Sequence, residues 1–185
     1  MDYSNLDKQK NNKVRIIFIG DVNQKKGIID FVKIARVLTN NDFEFNIVGK
    51  YDEDDQIYTS NKDLCNFYGY VTHDEVLNIC ENMDIIIFPS LSDGFGLSVI
   101  EAMSKKVVPI VSTNAGVSDI VNNGVNGFTF NIGDIENVVA RCRYLKNDFS
   151  ALRNMQNEAF ECVSNMKWTD YYKQIENAIN SVFDF

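Results

Sequence analysis

The residues with the clearest chemical potential lie between positions 89 and 103, in the segment PSLSDGFGLSVIEAM. Asp93 and Glu101 are two carboxylates separated by seven residues, and Gly94 and Gly96 lie between them, directly after the apolar run DIIIF. Glycine has no Cβ, so the backbone can approach a ligand closely, and unpaired amides at a helix start attract anions. A diphosphate fits such a place, and a carboxylate further along the helix would accept hydrogen bonds from ribose hydroxyls.

Apolar runs alternate with segments of helical periodicity along the chain, which is typical of repeated βαβ units. Predicted strands span residues 14–19, 43–48, 65–69, 84–89, 107–112 and 127–130. Predicted helices between them span residues 27–39, 73–81, 95–105, 115–122 and 134–146. The strands are apolar without strict alternation, as expected of strands covered on both faces. We therefore predict an α/β fold with a single Rossmann-like, doubly wound parallel sheet of about six strands.

The two ends of the chain add further predictions. Residues 1–12 form a polar lead-in, and residues 13–185 form one domain. C-terminal helices are predicted at about 149–164 and 168–183. The last helix has an apolar stripe, which indicates a face buried against another surface. The stripe consists of Trp168, Tyr172, Ile175, Ile179 and Val182.

The candidate residues come together if the sheet has the common strand order 3-2-1-4-5-6. In that order the first and fourth strands are neighbours, and ligands bind beyond their carboxyl ends. The loops that follow these strands are GDVNQKKG at 20–27 and PSLSDGFG at 89–96. Two glycine-containing turns, one of which carries Lys26, would then face one crevice and hold a diphosphate.

Each of these features also has an ordinary structural interpretation. The Gly-x-Gly sequence could mark only a tight turn, and Glu101 could form only an i,i+4 ion pair with Lys105. Lys26 could be a solvated lysine ahead of a helix. The acidic run DEDD at 52–55 could hold a divalent metal ion, but an exposed acidic loop is the better interpretation.

Composition argues against several classes of function. The chain has 185 residues with a formal net charge of −8 and a pI near 4.6, so it lacks the basic stripe that nucleic-acid binding needs. The four cysteines are scattered and His73, expected to be a solvated surface residue, is the one histidine, which gives little support to a metal site. Val99 occupies the place of the third glycine of a dinucleotide fingerprint. No stretch has the roughly 18 consecutive apolar residues of a membrane span, and we expect a cytoplasmic protein.

The segment PSLSDGFGLSVIEAM, followed by PIVSTNAGVSDIVNNGVNGFTF, resembles the C-terminal, donor-binding half of retaining glycosyltransferases of the GT-B fold, the family 4 or group 1 glycosyl transferases. The resemblance extends from IIFIGDVNQKKGI through NFYGYV to WTDYYKQI, which is nearly the whole chain. It implies an enzyme of the hexosyltransferase type that binds a nucleotide-diphosphate sugar, UDP- or GDP-linked. It also implies that the enzyme uses no metal and no cofactor.

The family signature is a glutamate, seven residues and a second glutamate. Asp93 matches the first, which in relatives lies by the donor sugar, and Glu101 matches the second, which takes the ribose hydroxyls. The resemblance assigns Asp93 and Glu101 to catalysis together with Lys26. The backbone that approaches the sugar and phosphate in relatives corresponds to Gly94, Phe95, Gly96 and Leu97.

Relatives hold the diphosphate with an arginine after the glycine that ends the first strand and with a lysine next to a second glycine. Gly20, Lys26 and Gly27 match this pattern, but Asp21 occupies the arginine position. A lost guanidinium removes charge-assisted hydrogen bonds of about 1.5–3 kcal/mol each, and a carboxylate near phosphate repels it. We hypothesise that Lys25 compensates.

The loop with which relatives hold the edge of the base corresponds to Gly69, Tyr70 and Val71, with Gly49 nearby. A simple strand end is an alternative interpretation of Tyr70.

A complete enzyme of this family closes a cleft between two Rossmann-like domains, and the other domain supplies the acceptor site. The resemblance therefore implies a partner, either a missing N-terminal acceptor domain or a separate acceptor subunit, and transfer in glycan or polysaccharide biosynthesis. The chain alone is expected to bind donor and transfer little. The alternatives are a non-catalytic nucleotide-sugar-binding or regulatory subunit and a metal-dependent transferase that uses the DEDD run.

Overall fold

The computed structural model describes residues 13–39, 42–164 and 166, so the lead-in and the helix predicted at 168–183 lie outside the described residues. Six parallel strands form one sheet in the order β3-β2-β1-β4-β5-β6. They are β1 Val14–Ile19, β2 Phe43–Val48, β3 Cys65–Gly69, β4 Ile85–Phe88, β5 Val108–Ser112 and β6 Phe128–Phe130. This confirms the predicted strands and the predicted strand order.

Six α-helices lie in the described part of the chain. They are α1 Ile28–Val37, α2 Gln56–Thr59, α3 His73–Cys80, α4 Leu97–Met103, α5 Ile135–Asn147 and α6 Phe149–Ser164. The single turn α2 was not predicted, because its start is set by a local cap: the Asp55 carboxylate accepts a hydrogen bond from the Ile57 amide. None of the helices in these ranges has the length and apolar content to cross a lipid bilayer.

The prediction of a helix at 115–122 is wrong. The segment forms a short 3₁₀ helix, Gly116–Ile120, and Val121 already has an extended backbone. The segment begins with glycine and buries only one of its side chains, Val117. The segment consists of residues with low helix propensity, and only one apolar side chain is buried. Too little burial is available to stabilise a full α-helix.

The sheet is covered on both faces, and every residue of β1 is buried. Alternate residues point to opposite layers: Phe18 packs with α1 and α5, whereas Ile17 packs with α3 and α4. Helix α6 contributes to both layers, with Leu152 in one and Ala159 in the other. Burial on both faces explains why the strands show no polar alternation.

Helix α6 is tied to the amino ends of the strands. The Asp84 carboxylate, just before β4, accepts hydrogen bonds from the Arg15 amide at 3.0 Å and from the Gln156 side chain at 3.3 Å. Asp84 therefore lies at the edge of the sheet away from the candidate site residues. The opposite edge, where the strands end, carries the loops predicted to bind a ligand.

Candidate functional site

The loops that follow β1 and β4 are in direct contact. The Lys25 carbonyl accepts hydrogen bonds from the Leu91 amide at 2.9 Å and from the Ser90 hydroxyl at 3.2 Å. Gly27 has φ +79°, and a Cβ built on it would lie 1.9 Å from the carbonyl oxygen of Pro89. Only glycine fits this approach, so the sequence predicts the meeting of the two turns correctly.

Lys26 and Asp93 form an ion pair between these loops. Lys26 Nζ donates to Asp93 Oδ2 at 2.6 Å, and the two side chains are 32% and 14% exposed. The other oxygen, Asp93 Oδ1, accepts the amides of Gly96 at 2.8 Å and Phe95 at 3.3 Å. Burial alone would raise the pKa of Asp93, but the hydrogen bond and charge of Lys26 and the two amides outweigh it and lower the pKa.

A third loop, after β5, supports the turn at 93–96, and the sequence reasoning did not single it out. The Gly116 amide donates to the Asp93 carbonyl at 3.1 Å, and a Cβ on Gly116 would lie 2.2 Å from the Gly94 carbonyl oxygen. The predicted strand order could have indicated this loop. Strand β5 is the neighbour of β4, so the loop after β5 must reach the same edge of the sheet.

A small cavity opens beside the ion pair. It has a volume of about 310 Å³ and is lined by Lys26, Asp93, Phe95, Gly96, Leu97 and Ser98. The amides of Leu97 and Ser98, which begin α4, make no hydrogen bond to the described residues. Because Asp93 already accepts the preceding two amides, Leu97 and Ser98 supply the helix-start amides that remain beside this cavity. Ser98 was not among the predicted residues.

A larger groove of about 630 Å³ lies between α1 and α2 and contains none of the predicted site residues. Its cationic side chains are already paired: Lys33 with Asp30 at 3.2 Å and Arg36 with the Asn61 amide oxygen at 3.0 Å. The smaller cavity is therefore the better candidate, since it joins a charged pair to helix-start amides.

Glu101 lies one helical turn beyond Leu97 on α4. Its Oε1 is 3.6 Å from Nδ1 of His73, the first residue of α3, and the two side chains are 31% and 62% exposed. Lys105 pairs instead with Glu81 at 2.6 Å. The alternative that Glu101 serves only as the i,i+4 partner of Lys105 is therefore wrong, and His73, although exposed, is not simply solvated.

The loops after β1, β2 and β3 form the other side of the crevice. A Cβ on Gly49 would lie 2.0 Å from the Gly20 carbonyl oxygen, and the Gly49 amide donates to the Gly69 carbonyl at 2.9 Å. Tyr70 is 75% exposed, and Lys50 Nζ lies 5.4 Å from the centroid of its ring. Val71 packs partly against the core. The structure thus brings the predicted base loop to the same edge, while its role stays a prediction.

Asp21, at the position of the family arginine, is exposed. Its carbonyl accepts the Asn23 amide at 2.9 Å, but its carboxylate makes no hydrogen bond or ion pair with the described residues. The Lys25 side chain is exposed as well, so compensation by Lys25 stays a hypothesis.

In the DEDD run, Asp52 accepts the Asp54 amide at 3.0 Å and Asp55 caps α2. Within the described ranges there is no group of three or more His, Cys, Asp or Glu side chains that could hold a metal ion.

Comparison with known proteins decides the family. A model of the family described as glycosyl transferases group 1 matches residues 4–161. The chain belongs to this family. Among relatives in this glycosyltransferase family, sulfoquinovosyl transferase SQD2 of Arabidopsis thaliana is 27% identical over 169 residues, which is 89% of this chain and 33% of that protein. The capsular polysaccharide biosynthesis glycosyltransferase CapM of Staphylococcus aureus is 25% identical over 149 residues, 76% of this chain and 38% of that protein.

Two solved structures have the same fold. The C-terminal domain of LpcC from Francisella tularensis has a TM-score of 0.74 at 20% identity and covers 85% of this chain and 87% of that one. Anabaena HepE, solved with UDP and glucose, has a TM-score of 0.78 at 16% identity and covers 92% of this chain and 49% of that one. The sheet is that of a GT-B C-terminal domain, and the chain spans about a third of the length of its curated relatives.

Proposed function

We propose that this group 1 glycosyltransferase chain is a donor-binding domain that holds a nucleotide-diphosphate sugar for retaining transfer, of the hexosyltransferase type, in glycan or polysaccharide biosynthesis. The observation that carries the proposal is the contact between Lys26 and Asp93, 2.6 Å apart across two loops that meet at the carboxyl edge of the sheet. A nucleotide-diphosphate sugar joins a negatively charged diphosphate to a sugar with several hydroxyls. A cation can bind the diphosphate, and a carboxylate beside it can accept hydrogen bonds from the hydroxyls. HepE, a relative in fold, was solved with UDP and glucose, which supports a UDP-linked donor.

Each part of the donor has a place in this arrangement. The ammonium of Lys26 has three N–H donors and can bind phosphate oxygens while it keeps its bond to Asp93. The amides of Leu97 and Ser98 add neutral donors beside it. Glu101, one turn further along α4, accepts the ribose hydroxyls, and the loop at 69–71 takes the edge of the base.

During transfer the bond between the anomeric carbon and the diphosphate oxygen breaks, and its electron pair leaves with the diphosphate. The charge of Lys26 and the helix-start amides stabilise that negative charge without a metal ion. The acceptor hydroxyl forms the new bond on the face that the diphosphate leaves, and its proton passes to the departing diphosphate. Asp93 stabilises the positive charge that develops on the sugar.

The acceptor site belongs to a partner, either a second domain or a separate acceptor subunit, because complete relatives are about three times as long as the matched region. We therefore expect the chain alone to bind donor and to transfer little. The second candidate is a non-catalytic nucleotide-sugar-binding or regulatory subunit. Its one supporting observation is the exposed Asp21 at the position of the family arginine.

A thermal-shift screen of UDP-, GDP- and ADP-sugars tests the proposal. A ligand at 100 times its Kd adds about 2.7 kcal/mol, which raises the Tm of a chain this size by about 5–10 °C. Lys26→Ala should lose most of this shift. Lys33→Ala, which removes an exposed lysine paired with Asp30 on α1, should keep it. No shift with any of the sugars would contradict nucleotide-sugar binding.

A further inference from the structure

His73 and Glu101 approach one another from two helices that follow different strands. His73 Nδ1 lies 3.6 Å from Glu101 Oε1, which is beyond a short hydrogen bond but within the range of an ion pair. Both side chains reach solvent at the carboxyl edge of the sheet. Among the described residues, His73 is the charged or titratable side chain that pairs with Glu101.

Local structure fixes where His73 stands. The Thr72 hydroxyl accepts the Glu75 amide, and the Glu75 carboxylate accepts the Thr72 amide at 2.8 Å, which makes a complete capping box. This box sets the start of α3, so His73 occupies its first helical position. The backbone of His73 is therefore held in place by the capping box, because the first turn of α3 does not fray.

A second ion pair joins the same two helices at their other ends. Lys105, just after α4, pairs with Glu81, the C-cap of α3, at 2.6 Å. The two pairs bracket the contact between α3 and α4. Lys105 pairs with Glu81 and not with Glu101, so the Glu101 carboxylate pairs with His73.

We propose that His73 is a positioning residue for Glu101, and that it sets the preference of the site for ribose over deoxyribose. This inference rests on the proposed function. A carboxylate has about four lone-pair sites, so Glu101 can face the imidazole at ion-pair distance through Oε1 while its other sites accept two vicinal hydroxyls. Without His73, Glu101 is a long side chain on a short helix with several rotamers, and its hydrogen bonds to the ribose must also offset the cost of ordering it.

Calorimetric titration of the full chain with UDP, GDP and ADP, with the 2′-deoxy forms of each and with inorganic pyrophosphate tests this inference. His73→Ala should lower the ratio of ribose to deoxyribose affinity by about two- to fivefold, the range of a partly exposed ion pair, and leave pyrophosphate binding unchanged. His73→Asn, which places an N–H near the position of Nδ1, should restore most of the ratio. Glu81→Ala is the matched control, because it breaks the other pair between α3 and α4 and should not change the ratio.

The outcomes separate the two ideas. If the parent chain binds none of the nucleoside diphosphates, the proposed function fails and this inference fails with it. If the parent chain binds and His73→Ala keeps the ribose preference, His73 has no positioning role and the proposed function stands. A loss of pyrophosphate affinity in His73→Ala equal to the loss of nucleotide affinity, or an equal effect of Glu81→Ala on the ratio, would indicate helix packing alone and overturn the inference.

Discussion

Lys26 Nζ donates a 2.6 Å hydrogen bond to Asp93 Oδ2, so the two residues predicted to face the phosphate and the sugar of one donor touch each other. The pair lies where the loops after β1 and β4 meet, and the Asp93 carboxylate also accepts the amides of Phe95 and Gly96. Asp93 therefore organises the turn at the start of α4 and lowers the net positive charge available to a diphosphate.

Asp93→Ala should weaken binding of a nucleotide sugar more than binding of the bare nucleoside diphosphate. In the proposed function the carboxylate contacts the sugar, whereas it would repel the extra negative charge of an uncapped diphosphate. We expect the ratio of the two affinities, measured by calorimetry, to fall about tenfold, in line with a charged hydrogen bond. Glu158→Ala, an exposed carboxylate on α6, is the control. Equal losses for both ligands would contradict this role of Asp93.

The Asp93–Lys26 pair should also affect how the free energy of unfolding changes as pH falls. The pKa of Asp93 is lowered in the folded chain, so the ionised pair stabilises the fold above the usual aspartate pKa, and this stabilisation is lost as pH falls through the folded pKa. The free energy of unfolding of Asp93→Asn should lie below that of the parent chain at neutral pH by less than about 1 kcal/mol, since Lys26 is partly exposed. Urea titrations should show the two chains converging in acid. A gap that widens in acid would show that the sign is wrong.

Asp21→Arg should tighten pyrophosphate binding by about tenfold or more, because it removes a repulsive carboxylate and adds a guanidinium fork. Asp21→Asn, which only removes the charge, should give a smaller gain. Lys25→Ala tests compensation in the same titration, and it should weaken binding if Lys25 reaches the phosphate. An unchanged affinity in Lys25→Ala would refute compensation, and no gain in Asp21→Arg would place position 21 away from the anion.

Gly27→Ala measures the close approach of the two loops. Gly124 is the matched control, since both glycines have φ +79° but a Cβ on Gly124 meets nothing within 4 Å. Left-handed backbone costs each alanine roughly 1–2 kcal/mol. Because the Pro89 carbonyl must move, we expect Gly27→Ala to cost about 2 kcal/mol more than Gly124→Ala in urea unfolding. Equal costs would mean that the loops separate easily.

The sheet was predictable from the sequence because its signal is local. Apolar runs such as Val14–Ile19 set the strands, and the strand order follows from common topology, so the meeting of Gly27 with the loop after β4 could be foreseen. The family resemblance added proposed roles for Asp93 and Glu101, and those roles stay predictions.

Features that depend on nonlocal side-chain partners could not be predicted. His73 lies 28 positions from Glu101 in sequence, and only the packing of α3 on α4 brings them together. Gly116 contacts Asp93 through a backbone hydrogen bond. Such a contact has no characteristic residue pattern in the sequence, so it could not be predicted. The 3₁₀ helix Gly116–Ile120 and the single turn α2 are decided by a few hydrogen bonds, too few to produce a periodic apolar pattern.

An amide chemical-shift titration of the isotopically labelled chain with UDP and GDP tests the central claim most directly. If the loops after β1 and β4 hold the diphosphate, the largest shifts should fall within residues 20–27 and 93–98, and Lys26→Ala should weaken binding by about ten- to a hundredfold. Shifts centred on the groove between α1 and α2, or binding that Lys26→Ala leaves unchanged, would contradict the account.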